Sequence, residues 1–485
     1  MGRPKRVKSG APLPIRVVSR RIVKAADAAI PARVDTFSNL DLIPNSIQCL
    51  ITCIYPKPAV GEFRDVVAAF DAHLPTFLNF FFPLTGRFVF RTASGRPELH
   101  CFHQGTELVV GEVDVALASL DWGLSERSLS KIYLPYAEEV PLAVQLLRFA
   151  CGGFAVVWAT NNLIGDGNVG VMLVRMWAEL VRTGRISEGA PYHDRSLLGR
   201  PRDPPAYGAE VAEMFKVLGH EREVNALTAD ESQVERLYYV EGRDLERLAR
   251  AAAGADGQPA SRVQGFSAYL WKVLARLVEA SPRVADGDKR CRLLWWVDGR
   301  RCIRMPSPEL QAALDNYAGN VTSYAAMEAD AAAVLRRPLG EVAAMVREAI
   351  NGKDYGALYQ EMMDWVEAHR QEGLFVEASN LGLGSPTVSM TMWSSFPTDT
   401  DFGFGQASLV LPVDYNCGRM CSGLLYIAMK PGDSGSWIMS ADVWPRLAAA
   451  LEEDEERIFK PLTAEYLGLT RGNYLLRDAA ARPRL

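Results

Sequence analysis

The 485-residue chain contains no apolar run long enough to cross a bilayer; the best candidate, Val144–Thr160, is interrupted by Arg148 and by Gly152-Gly153. It also lacks a strong charge of either sign. A formal net charge of -5 argues against nucleic acid as the main partner, while leaving room for a local basic patch against a phosphorylated ligand. No apolar stretch follows the basic start MGRPKRVKSG, so no signal peptide is expected, and residues 1–13 read as a disordered basic arm. The eight cysteines form no framework, which is the usage of a reduced, cytoplasmic protein. Cys49/Cys53 and Cys417/Cys421 are each four apart, yet no His or Cys cluster accompanies either pair, so core thiols are favoured over zinc. There is no low-complexity tract and no repeat of fixed period.

What is present is the composition of a globular protein, 48% hydrophobic and 23% charged, sufficient for large cores. At roughly 150 residues per domain the length suggests two or three domains. Helical and strand-like patterns alternate. Phe63–Leu78 has helical spacing at least to Pro75, Ala143–Thr160 reads as two strands about Gly152-Gly153, and Asn168–Thr183 returns to helix. Ser196–Ala206, rich in Pro and Arg, opens a long connection to about Val234. Beyond it, Val263–Val278, Leu335–Asn351 and Leu358–Arg370 are predicted helices and Cys291–Asp298 a buried strand. Ser389–Trp393 and Gln406–Pro412 read as strands flanking a Gly-rich turn. Tyr426–Met429 and Ser436–Met439 suggest a hairpin, and Trp444–Phe459 a closing acidic helix.

Three short segments carry candidate chemistry, each with a plain structural alternative. Thr160-Asn161-Asn162-Leu163-Ile164-Gly165-Asp166-Gly167 lies between a strand and an amphipathic helix, where polar side chains reach a cleft; alone it is a turn with Asp166 or Asn168 as helix cap. Asp401-Phe402-Gly403-Phe404-Gly405 allows close backbone approach, or is simply a turn with aromatic packing. Val297-Asp298-Gly299-Arg300-Arg301 presents guanidinium forks suited to carboxylates or phosphates, or is a solvated turn.

In order and spacing these segments resemble the plant BAHD acyltransferases, whose signatures are HxxxDG near mid-chain and DFGWG near the end. The resemblance spans roughly residues 16–475. Phe82–Arg87 is similar to the family's YPLAGR segment, Ser267–Trp271 to SAHLW, Val297–Arg300 to VDGR and Tyr317–Asn320 to YFGN. Cys151-Gly152-Gly153 precedes the first signature, and Trp393–Pro397 precedes the second.

The resemblance implies an α/β fold of two similarly sized mixed-sheet domains with a channel between them. The domains would be residues 14–200 and 235–485, joined by a crossover at 201–234. It further implies a cytoplasmic, monomeric enzyme of plant specialised metabolism. Such an enzyme moves an acyl group from acyl-CoA, as co-substrate, to a small-molecule alcohol or amine, with no metal and no bound cofactor. Asp166 would pair with Arg300 to hold the turn, Ser267 and Ala268 would lie along the CoA path, and Asp401, Gly403, Phe404 and Gly405 would form a structural loop. Ser38, Trp393 and Ser395 are acceptor-pocket candidates. The C-terminal Pro483-Arg484-Leu485 loosely resembles a peroxisomal address, or is a frayed basic tail.

Two departures stand out. Asn162 occupies the place of the family's general-base His, and an amide has no usable basicity near neutral pH. Phe404 replaces the motif Trp and removes an indole N–H, so an oxyanion donor would come from Ser394, Ser395 or backbone amides. None of the six histidines is an obvious substitute; His193, nearest in sequence, reads as a surface turn residue. An engineered or natural His→Asn change in a working transferase is one reading. A native protein that binds acyl-CoA or a metabolite without transfer, or a lyase in the same cleft, is the alternative.

Overall fold

A computed structural model describes residues 13–43, 48–187, 189–217, 233–254, 258–282, 289–371, 375–377, 385–393, 400–414, 423–433 and 435–470. Two mixed β-sheets organise it. The six-stranded sheet runs Ile15–Val23, Thr106–Val113, Leu142–Phe149, Phe154–Asn161, Gln48–Tyr55 and Leu409–Asp414. Only its Thr106–Val113 and Leu142–Phe149 pair is parallel. The seven-stranded sheet runs Thr322–Asp330, Arg290–Asp298, Thr387–Met392, Gly423–Met429, Trp437–Val443, Val234–Val240 and Lys460–Pro461. Its parallel pairs join Arg290–Asp298 to Thr387–Met392 and the latter to Gly423–Met429.

The central strand Phe154–Asn161 is buried along its whole length, and helices Phe63–Phe80 and Gly167–Thr183 cover one face of the first sheet. The first of these runs through Pro75 to Phe80, as Phe77 and Leu78 are fully buried. In the second domain, helix Arg262–Glu279 lies under the sheet with Phe266, Leu270, Trp271 and Leu274 buried.

Several sequence expectations are corrected. The helix expected over Leu335–Asn351 is two helices, Ala331–Arg336 and Leu339–Asn351; Pro338 forces Arg337 into extended backbone and ends the first. The closing helix is only Pro445–Glu452. The acidic stretch after it folds back, and Asp454 accepts hydrogen bonds from Tyr269 Oη (2.7 Å) and Arg276 Nη2 (2.9 Å). The connection at 201–234 carries structure of its own, with helix Ala209–Met214 and strand Phe215–Val217. Asp364, fully buried, pins that connection by accepting from the Arg202 backbone N–H (2.7 Å) and guanidinium and from the Ala206 N–H (3.2 Å). Finally, the two domains are not contiguous in sequence: Leu409–Asp414, from the second half, is an edge strand of the first sheet.

The halves also meet through one helical turn. Ser38 caps Asn39–Leu42. Asn39 Nδ2 donates to the Met363 carbonyl at 2.7 Å, and Leu40 packs in a cluster with Leu314, Tyr317, Tyr359 and Met362.

Candidate active site

Strand Phe154–Asn161 ends and helix Gly167–Thr183 begins within a few residues, which places Asn162 at the junction of the two domains. The turn closes through the Ile164 N–H to the Asn161 carbonyl (3.0 Å) and the Leu163 N–H to Asn161 Oδ1 (2.9 Å). Asp166 is the helix cap, its Oδ1 accepting from the Asn168 N–H at 3.1 Å.

The second carboxylate oxygen of Asp166 reaches the other domain. It accepts from Arg300 Nη1 (2.8 Å), the Val321 N–H (2.8 Å) and Thr322 Oγ1 (3.1 Å). The two side chains are only 6% and 3% exposed, so this is a buried ion pair. Arg300 completes its fork on Asp298 Oδ1 (3.0 Å) and on the carbonyls of Tyr317 (2.8 Å) and Gly319 (2.7 Å). Burial alone would lower the guanidinium's proton affinity, but Asp166 and Asp298 outweigh it and raise its pKa. Burial likewise raises the Asp298 carboxyl above the usual carboxylate range, against the pull of Arg300.

Asn162 itself is half-buried. Its Oδ1 accepts from the Cys49 thiol at 2.8 Å, and its backbone carbonyl accepts from Asn320 Nδ2 at 2.8 Å. Trp393 is 7% exposed and lies against the start of the helix after the turn. A Cβ at Gly170 would sit 2.9 Å from its ring and 2.6 Å from Ile51, so that position needs glycine for the indole to seat, and a Cβ at Gly167 would press on the ring at 3.0 Å.

Other candidates are placed differently from the sequence reading. Ser267 and Ala268 are fully buried, and Ser267 Oγ accepts from Trp295 Nε1 at 2.9 Å, so in this structure both side chains pack in the core of the second domain. The Ser38 hydroxyl is held by Asp41 Oδ2 at 2.7 Å as part of a capping box, which makes it a structural cap. Ser394 and Ser395 lie outside the described residues, as do Cys417, Cys421, His220 and Pro483-Arg484-Leu485. Asp401 Oδ1 accepts from the N–H groups of Gly403 (2.8 Å) and Gly405 (3.1 Å), both glycines being in the left-handed region. Phe402, 1% exposed, packs its ring among Tyr55, Phe70 and Phe154, while Phe404 is half-buried 5.2 Å from Phe402.

No described histidine takes over as base at the turn. His100 bonds Glu98, while His103 and His369 bond the carbonyls of Ile30 and Trp365. His193 is no simple surface residue: its Nε2–H donates to the Phe80 carbonyl at 2.8 Å, and burial pulls its pKa down to about 4. Because the folded pKa lies below that of the unfolded chain, His193 contributes stability that is complete above about pH 6.5 and lost as pH falls towards 4. Replacing His193 with Gln is expected to flatten the stability-versus-pH curve over that window by on the order of 1–2 kcal/mol. Urea unfolding at pH 7.5 and 4.5 checks this; equal slopes for both proteins would refute it.

Residues 13–457 match the model of the Transferase family. The chain belongs to that family, the BAHD acyltransferases. It is 27% identical over 403 residues to the hydroxycinnamoyl-CoA:piscidic acid hydroxycinnamoyltransferase of Actaea racemosa, covering 78% of this chain and 84% of that protein. It is 25% identical over 410 residues to the fatty alcohol:caffeoyl-CoA acyltransferase of Arabidopsis thaliana, covering 82% and 89%. With putrescine hydroxycinnamoyltransferase 3 of Oryza sativa subsp. japonica it shares 24% over 417 residues, 82% and 90% of the two chains. The crystal structure of F. graminearum TRI101 with coenzyme A and deoxynivalenol superposes at a TM-score of 0.72 with 16% identity, covering 88% of this chain and 99% of that one. Vinorine synthase superposes at 0.63 with 18% identity over 92% and 99%. These two likenesses show that the fold is shared across most of the chain, both sheets included. Among the described residues there is no cluster able to hold a metal ion and no helix long and apolar enough to cross a membrane.

Sequence reasoning alone did not find Asp41, Arg195 or Cys49. Their partners are distant in the chain: Arg195 Nη2 reaches the Ile164 carbonyl (2.9 Å) across 31 positions, Cys49 reaches Asn162 across 113, and Asp41 reaches Asn320 across 279. Tyr317–Asn320 was legible as a motif, but not what its Asn does.

Proposed function

We propose that the protein is an acyl-CoA-dependent transferase that moves an acyl group from the CoA thioester to a small-molecule hydroxyl or amine, in the cleft where its two domains meet. The acceptor oxygen or nitrogen attacks the thioester carbonyl, the tetrahedral oxyanion collapses, and the CoA thiolate leaves with a proton. The observation that carries the reading is the turn itself. Asp166 is clamped by Arg300, Val321 and Thr322 of the other domain, so residue 162 is presented at a fixed place between the sheets. The acyl-CoA donors and the alcohol and amine acceptors in the names of its relatives support the substrate classes. We further take it to act as a cytoplasmic monomer, the scatter of its eight cysteines supporting the compartment.

Asn162 favours a second reading, in which the cleft binds acyl-CoA without transfer. Calorimetric titration with acetyl-CoA and an aromatic acyl-CoA, followed by CoA release with a panel of alcohols and amines, separates the two. Binding with turnover is the expected result. Binding with no turnover for any acceptor supports the second reading, and no binding of either CoA ester removes both.

A further inference from the structure

Beyond the Asp166–Arg300 clamp, the turn carries a second anchor on its opposite side. The peptide unit between residues 162 and 163 is held at both ends. Its N–H, from Leu163, donates to Asn161 Oδ1 at 2.9 Å, and its carbonyl, from Asn162, accepts from Asn320 Nδ2 at 2.8 Å. Fixing that plane fixes the ψ angle of residue 162, and with it the direction in which the side chain leaves the backbone. Asn320 is 4% exposed, and its amide is itself held: Nδ2 and the backbone N–H both donate to Asp41 Oδ1, at 3.0 and 2.9 Å. Asp41 is fully buried, and its other oxygen accepts from the Ser38 N–H (2.9 Å) and hydroxyl (2.7 Å). Arg195 joins the same group, with Nη1 3.5 Å from Asp41 and Nη2 donating to the Ile164 carbonyl at 2.9 Å.

We propose that Asn320, backed by Asp41, is a positioning residue that aims the side chain of residue 162. The chemistry explains the residue type. Only a carboxamide of this length presents two N–H groups, one for Asp41 and one for the 162 carbonyl. An Asp at 320 would have no hydrogen to donate and would set a second carboxylate beside Asp41. Because Asp41 sits in the helical turn that docks the first domain on Met363, the anchor also registers one domain against the other.

Two measurements test this. In the unaltered protein and its Asn320→Ala and Asn320→Asp variants, hydrogen exchange is followed by mass spectrometry on peptides covering 159–167. Exchange there is expected to accelerate by at least about tenfold in both variants, while the Phe63–Phe80 and Arg262–Glu279 helices keep their protection. Unchanged exchange at the turn, or equal acceleration throughout the second domain, would overturn the proposal. Asn320→Asp keeps the side chain's size should the Ala variant fail to fold. The second measurement rests on the transferase reading and uses Asn162→His protein. Adding Asn320→Ala should lower kcat by about 10–100-fold with KM for acyl-CoA within about twofold; a raised KM at constant kcat would contradict positioning. A restored-His protein that transfers nothing counts against the transferase reading, and the exchange result still decides the role of Asn320.

Discussion

Replacing Asn162 with His is expected to raise acyl transfer to an alcohol by about 10²–10⁴-fold, the range a positioned general base contributes. The surroundings of residue 162 are those of a working turn. Its carbonyl is held by Asn320, and the turn's Asp166 is satisfied on both oxygens. Oδ1 of Asn162, which accepts from the Cys49 thiol, lies about where Nδ1 of a His in the same rotamer would lie. With Nδ1–H donating to the Cys49 sulfur, the reverse of the thiol's bond to the amide, the ring is oriented and Nε2 is left as the proton acceptor. The gain should depend on the acceptor. An alcohol is a poor nucleophile until its proton is taken, whereas a neutral amine attacks a thioester unaided and sheds its proton afterwards. Rates of CoA release for matched alcohol and amine acceptors, with and without Asn162→His, check this. A gain below about tenfold for every alcohol tested would show that residue 162 is not a disabled base.

Replacing Arg300 with Ala is expected to destabilise the protein by about 3–5 kcal/mol, because it breaks a buried pair from one side. Asp166 and Asp298 would then face one another without their shared cation, and the Tyr317 and Gly319 carbonyls would lose their donor. Arg300→Lys should recover only part of the loss, since a single ammonium cannot reach both carboxylates and both carbonyls at once. At 3% and 6% side-chain exposure the pair is shielded from salt, so the deficit should persist between low and high ionic strength. Chemical unfolding followed by circular dichroism measures it. A loss under about 1 kcal/mol would mean that the turn is held without the pair.

How much of this was readable from sequence depends on the range of the interaction. The strands about Gly152-Gly153 and the helix after Asp166 were legible because their signals are local: apolar alternation, a tight turn, a cap. The Asp–Gly–Arg at 298–300 and the Asn–x–x–x–Asp at 162–166 were legible through resemblance, which supplied the pairing that no periodicity contains. The surroundings of Ser267 were not legible, because position in a motif does not say which way a helix faces; its hydroxyl is bonded by the indole of Trp295 across the sheet–helix interface. The helix expected through Arg337-Pro338 was overextended because apolar spacing persisted on both sides of the proline. Asp41 was out of reach altogether, its partner Asn320 being 279 positions away.

The strand Leu409–Asp414 has a consequence for how the chain is made. The first sheet draws its last edge from a segment that leaves the ribosome after most of the second sheet has been synthesised. Until then Gln48–Tyr55, an apolar strand buried in the finished protein, has one side unpaired and able to capture a neighbouring chain. The first domain is therefore not a separable module, and a truncation anywhere before residue 409 leaves it open. Closure of the first sheet waits until residues 409–414 have been made, and the cleft between the domains cannot be complete before it.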